Sequence, residues 1–261
     1  MNLLRLLAVF VRVNVLGEVA YRVNFFIELF QSLLELGTAL AGLAVVFNCT
    51  DSLAGWGPDE MLGLVGVYYL VGGIISLMIR PAMTDLIDAV RHGTLDFTLV
   101  KPADAQLLVS IRRINIWKVT DVVLGAGVLG TALLRLGTRV GWGHAALFVL
   151  MLACGAVIVY GFWLILASLS FWLVRMENIL EIFQSMYEAG RWPVTLYPRW
   201  LRFAMTFIVP VAFAVTVPAQ ALTRHADART LAGAALLAVG MAAASRLVWR
   251  LGLRHYSGAS A

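Results

Sequence analysis

The chain has 261 residues, 61% of them hydrophobic and only 13% charged, and its mean hydropathy of +0.86 excludes a soluble domain, which carries about 25% charged residues. A hydrocarbon core of about 30 Å takes a helix of roughly 20 residues, so the length admits about six spans and no large soluble domain. The formal charge of +5 and pI near 9.6 come from Lys and Arg scattered at the ends of apolar runs, which speaks for membrane orientation and against a nucleic-acid partner.

The opening MNLLRLLAVFVRVNVLGEV has the outline of a signal peptide, but Arg12 interrupts its apolar run and no small-residue cleavage site follows. A retained interfacial helix over residues 1–23 is expected instead. Apolar runs predict spans at 24–47, 59–78, 114–134 and 145–172, with a last one at 231–249. Between the second and third lies a polar, basic interruption from Arg80 to Lys118, too long and too charged for a simple turn. The positive-inside rule puts its Arg80, Arg91, Lys101, Arg112, Arg113 and Lys118 in the cytoplasm, together with Arg5, Arg12 and Arg22 at one end of the chain and Arg246, Arg250 and Arg254 at the other. Both termini are therefore expected inside, and the number of spans is even.

Residues 175–229 admit two arrangements of six spans. In one, 176–192 is a short fifth span and 197–222 is a re-entrant hairpin on the outer face. In the other, the first segment stays cytoplasmic and 200–222 crosses. Charge favours the second, since Glu181 and Glu188 would otherwise lie at membrane depth at roughly 2.5 to 3.5 kcal/mol each. Against it stand Pro193, Pro198, Pro210 and Pro218, whose missing donors suit broken helices buried in protein.

Two polar stripes accompany these segments. Glu28, Gln31 and Glu35 fall at i, i+3 and i+7 in the first span, and Glu177, Glu181, Gln184 and Glu188 at i, i+4, i+7 and i+11 in the fifth segment, so each set shares one helical face. Such groups face a bundle interior or a water-filled cavity, either as a substrate pathway or as partners of an arginine. An acidic pathway would favour a cationic or hydroxyl-rich substrate. Asp121, one turn after Lys118, reads as an interfacial ion-pair partner. Trp142, Trp192, Trp200 and Trp249 suit an aromatic belt, and Ala126, Gly130, Ala234, Ala238 and Ala242 suit close helix packing.

Reaction chemistry is not legible. Cys49 and Cys154 and the four dispersed histidines give no metal spacing, no nucleophile and base can be placed together, and no cofactor is implied. The glycine-rich loop ending in Gly-Lys-Ser/Thr does not occur, so energy is expected from another polypeptide or an ion gradient. The Asn48-Cys49-Thr50 triplet fits a glycosylation acceptor but is too short to weigh.

The segment PAMTDLIDAVRH followed by GTLDFTLVKP resembles the inner loop of ATP-binding-cassette exporter permeases of the second type. The run from Gly190 to Leu222, with spaced prolines and YPRWLR, resembles that family's outer re-entrant helices, and EVAYRVNF resembles its interfacial helix. The likeness covers nearly the whole chain, and is similar to the branch in which two related permeases accompany one type of ATPase. It implies an all-α polytopic domain over 1–261, with an interfacial helix at 1–23, a cytoplasmic coupling loop at 80–109 and an outer re-entrant region at 193–228. It also implies a bacterial inner-membrane export subunit without enzymatic activity, working as a homodimer or with a related permease. Asp85, Asp88, Arg91, His92, Gly93, Asp96 and Lys101 are then the residues expected to meet a cytosolic ATPase. Glu28, Gln31, Glu35, Glu181, Gln184 and Glu188 are those expected along the substrate pathway. The competing expectation is an ion-coupled secondary transporter using the same carboxylates.

Overall fold

The computed structural model describes residues 22–137, 142–173, 177–223 and 228–256, and among these the regular elements are helices. Five are long and apolar enough to cross a bilayer: Asn24–Cys49, Pro58–Arg91, Ile116–Leu136, Gly143–Phe171 and Arg229–His255. A bent pair, Arg199–Ile208 and Ala212–Leu222, raises the number to six if it counts as one span. The protein is therefore an all-α polytopic membrane protein. The interfacial helix expected at 1–23 falls almost entirely outside the described residues.

Helix α1 (Arg22–Cys49) exposes Phe26, Phe30 and Leu34, an apolar outer stripe. Helix α2 (Pro58–Ile74) starts where the Gly57 amide donates to the Glu60 carboxylate at 2.9 Å, with Pro58 at a position whose missing N–H costs nothing. It passes through a π-helical turn, Ile75–Ile79, and continues as α3 (Arg80–Arg91). The 34 residues of Pro58–Arg91 run about 51 Å, so α3 projects well beyond a core of about 30 Å. The polar segment expected as a separate loop is thus in its first half a rigid extension of the second span. Pro81 accounts for the π turn: it has no N–H for the Leu77 carbonyl, and its ring needs room on the preceding turn. The Asn115 amide donates to that freed carbonyl at 2.8 Å and ties the far end of the loop to the helix.

Helix α3 stops at Gly93, whose φ of +68° is open to glycine at little cost. The Thr94 amide donates to the Ala89 carbonyl at 2.9 Å and the Gly93 amide to Val90 at 3.3 Å, which together make a Schellman cap. Short helices α4 (Asp96–Leu99) and α5 (Ala105–Ile111) follow, the second capped by the Asp104 carboxylate on the Leu107 amide. The loop returns to the bilayer at α6 (Val119–Leu136).

Helices α2 and α6 share the most extensive contact in the molecule, and three glycines permit it. A Cβ at Gly125 would lie 2.3 Å from the Leu70 nitrogen; at Gly66 it would lie 2.6 Å from Leu129 and at Gly73 2.7 Å from Val122. Small residues at Ala126 and Gly130 were expected to make such a contact. They do not: Ala126 is exposed and a Cβ at Gly130 meets nothing within 4 Å, because the seam runs one residue earlier along the helix.

Helix α7 (Trp142–Ser168) forms the centre, packed on α3 and on the C-terminal elements. Helix α8 (Glu177–Glu188), extended by one 3₁₀ turn to Arg191, runs antiparallel to α2, with Glu181 beside Arg80 and Tyr187 against Tyr68. Its 12 α-helical residues rise only about 18 Å. Then come α9 (Arg199–Phe203), a π turn to Ile208, a break at Pro210, a second π turn at Ala212–Thr216 and α10 (Val217–Thr223), with an 81° bend between the two arms. Arg202 donates to the carbonyls of Val194, Thr195 and Tyr197, and the Tyr197 hydroxyl to Ala189, so the YPRWLR segment satisfies backbone groups that its broken helices leave open. Helix α11 (Ala228–His255) closes the described chain. Its Trp249, expected in the aromatic belt, is instead 1% exposed and packs edge-on to Phe171. Trp200 is 71% exposed.

Candidate functional site

A polar cleft of about 780 Å³ lies among α1, α2, α3, the start of α6 and α8. One stripe of α2 and α3 lines it with Tyr69, Gly72, Gly73, Ser76, Arg80 and Thr84, residues three or four apart that leave the helix surface small or polar. Facing them, α8 contributes Glu181, Gln184, Ser185, Glu188 and Arg191 at the same periodicity. Glu35 and Thr38 come from α1, while Arg113, Asn115, Lys118 and Asp121 come from the end of the loop and the start of α6.

Aromatic packing holds α8 in place. The rings of Tyr68 and Tyr187 stack with centroids 5.1 Å apart, and the Tyr187 hydroxyl donates to the Tyr68 carbonyl at 2.9 Å. Gly72 permits this, since a Cβ there would sit 3.2 Å from the Tyr187 ring. The Arg191 guanidinium lies 5.7 Å above the Tyr68 ring centre, a cation–π distance.

The two polar stripes meet different fates. Glu35, Glu181, Gln184 and Glu188 line the cleft. Glu28 does not: it pairs with Lys118 at 2.6 Å, Lys118 lies 3.6 Å from Asp121, and Asp121 accepts from Ser32, a cluster that joins α1 to α6. Asp121 thereby has the ion-pair role expected of it. Gln31 is exposed and away from the cleft, and the side chain of Glu177 lies outside the described residues. Glu181 pairs with Arg80 across the cleft.

The expectation of an acidic wall is corrected by four basic residues. Glu35, Asp121, Glu181 and Glu188 share the cleft with Arg80, Arg113, Lys118 and Arg191. One of these bases was within reach of the sequence, because Arg191 continues the stripe of Glu181, Gln184 and Glu188 by one more step of three. The others are separated from the stripe by many residues.

At the end of α3 the residues expected to meet an ATPase form a folded knob. Asp85 pairs with Arg112 at 3.1 Å, and the Asp88 carbonyl lies 2.8 Å from His92 Nδ1. Arg91, His92 and Lys101 are exposed, Asp88, Gly93 and Asp96 half-buried. Phe97 and Val100, not singled out before, are 76% and 85% exposed. The signal was their place in GTLDFTLVKP, where they alternate with the buried Leu95 and Thr98. Arg246 of α11 grips the same knob by donating to the Asp104 carboxylate and to Gln106, and this hydrogen bond holds the Asp104 carboxyl below the usual carboxylate range. Gln106 in turn donates to the Tyr160 hydroxyl of α7 at 3.3 Å.

Among the described residues no cluster of His, Cys, Asp or Glu could hold a metal ion. Long apolar helices around a polar cleft, with a folded polar knob on the longest of them, define a helical membrane protein with a polar cleft. The chain matches the family described as ABC-2 family transporter protein over residues 33–260, and it belongs to that family. It is thus a membrane subunit of a transport system whose family implies an ATP-binding-cassette partner. No curated protein and no solved structure matches it.

Proposed function

We propose that this chain is the permease of an ATP-driven exporter of a bacterial inner membrane, without catalytic activity of its own, and that its polar cleft is half of a substrate pathway completed by a second permease. One observation carries the reading: the continuous helix Pro58–Arg91 bears the cleft wall along 68–84 and ends in the exposed knob at 91–101. A force applied to the knob by a nucleotide-driven partner would move the cleft wall as one body, since a helix transmits displacement along its axis. Asp85, Asp88, Arg91, His92, Gly93, Asp96 and Lys101 belong to this docking element, with Phe97 and Val100 as its apolar contacts; the paired Asp85 shapes it from within. The basic residues at the knob end of the cleft, Arg80, Arg113 and Lys118, orient that end to the cytoplasm. The high exposure of Glu181, 66%, fits a cleft that a partner subunit closes.

The test is disulfide or bifunctional crosslinking from His92→Cys and Phe97→Cys to a candidate ATP-binding-cassette ATPase. The expected outcome is a crosslink from both positions that changes in yield when ATP is trapped. Labelling of either cysteine from outside intact cells would overturn the assignment.

A further inference from the structure

The charges of the cleft are unevenly paired. At the knob end Arg80 is matched with Glu181 and Lys118 with Glu28 and Asp121. At the opposite end Arg191, Glu35 and Glu188 have no ion-pair partner within 4 Å among the described residues. The Arg191 Nε, the Tyr69 hydroxyl and the Gln184 Oε1 are buried and lack hydrogen-bond partners. Glu35 and Glu188 line the same cleft as Arg191, whose guanidinium lies over the Tyr68 ring.

Buried donors left open are costly, and a native site retains them where a ligand completes them. A ligand with only a positive charge would satisfy Glu35 and Glu188 but leave the Arg191 Nε and the Tyr69 hydroxyl unmatched, and would be repelled by the guanidinium. A ligand with only a negative charge meets the opposite fault. An apolar ligand satisfies none of them. We propose that the end of the cleft away from the knob binds a group carrying an ammonium and an acidic oxyanion in one molecule, the oxyanion on Arg191 and Tyr69 and the ammonium on Glu35 and Glu188. This deepens the permease reading and rests on it for the statement that the bound group is cargo. The cleft volume of about 780 Å³ accommodates a whole polar metabolite or a lipid headgroup.

The same chemistry is presented by a soluble zwitterion and by an aminophospholipid, so the test uses both. The full-length chain, in nanodiscs free of phosphatidylethanolamine, is titrated calorimetrically with O-phosphoethanolamine and with dihexanoyl-phosphatidylethanolamine, and in parallel with ethanolamine and with inorganic phosphate. At least one two-charge probe is expected to bind, and each one-charge probe to bind at least about tenfold more weakly, the loss expected for one charge-assisted contact. Binding of the soluble probe alone identifies a soluble cargo, and binding of the lipid alone a headgroup. Arg191→Gln and Tyr69→Phe are expected to weaken the two-charge probes, and Glu188→Gln to abolish the preference over phosphate. Thermal unfolding of each variant identifies any that fail to fold, and Tyr69→Phe, which keeps the ring, serves if Arg191→Gln is one of them. Equal binding of ethanolamine, equal binding of phosphate, or no binding of either two-charge probe to the folded chain overturns the proposal. Such a failure alongside an intact crosslink at position 97 removes this site alone, whereas binding without any ATPase contact removes the ATP-driven reading alone.

Discussion

Glu181 and Glu188 occupy one face of one helix, yet among the described residues only Glu181 of the two has an ion-pair partner within 4 Å. The difference matters for what a substitution reports. Removing one member of a buried ion pair costs about 3 to 5 kcal/mol and would confound any transport measurement with misassembly. The Arg80–Glu181 pair is not of that kind: its side chains are 36% and 66% exposed, and pairs so placed contribute about 0.2 to 1 kcal/mol. Glu181→Gln keeps shape and hydrogen-bonding capacity, so purified yield and melting temperature are expected to stay at the parent level while substrate-stimulated ATPase activity of the assembled transporter falls. A collapse in yield would instead mean that the pair holds α8 to α3.

At the level of elements, the α2–α6 seam is set by Gly66, Gly73 and Gly125. A methyl at Gly125 would strike backbone on α2, which cannot swing aside as a side chain would, so the helices must part along their length. Overpacking of this sort costs about 1 to 3 kcal/mol. Gly125→Ala is therefore expected to lower the melting temperature of the purified protein in detergent, whereas Gly130→Ala, where a Cβ meets open space, is expected to leave it unchanged or slightly raised. Equal melting temperatures for the two variants would show that the seam can widen at no cost. Separation at this seam would also shift Tyr69, which adjoins Leu70 and lines the cleft, so packing and pathway are linked through adjacent residues.

For the molecule as a whole, the course of 176–222 decides the topology. Helix α8 lies lengthwise beside α2, with its Glu181 at the level of Arg80 and its Tyr187 at the level of Tyr68, and the arms around Pro210 diverge by 81°. On the proposed reading this segment makes a short fifth crossing followed by an outer hairpin, against the count of charges. On that reading the exposed Trp200, Phe203 and Phe207 would meet the outer interface, where aromatic rings are favoured. A cysteine replacing Arg199 is expected to react with a membrane-impermeant maleimide in intact cells; reaction only after permeabilisation would make 200–222 the crossing segment.

The sequence by itself determined the membrane class and, to within a few residues, three of the five long spans, because each depends on local composition; the second and the last run well past their expected ends, to Arg91 and His255. It also exposed the face shared by Glu181, Gln184 and Glu188, since helical periodicity is a local property. Only the tertiary structure decided which polar groups meet. It paired Glu28 with Lys118 and Glu181 with Arg80, and it buried Trp249 at a predicted boundary. Contacts between residues so far apart in sequence depend on how helices rotate and tilt against one another, and that follows from where glycines let backbones touch. The cleft is mixed in charge rather than acidic for the same reason: its bases come from three separate places, Arg80 at the start of α3, Arg113 and Lys118 at the far end of the loop, and Arg191 in the turn after α8.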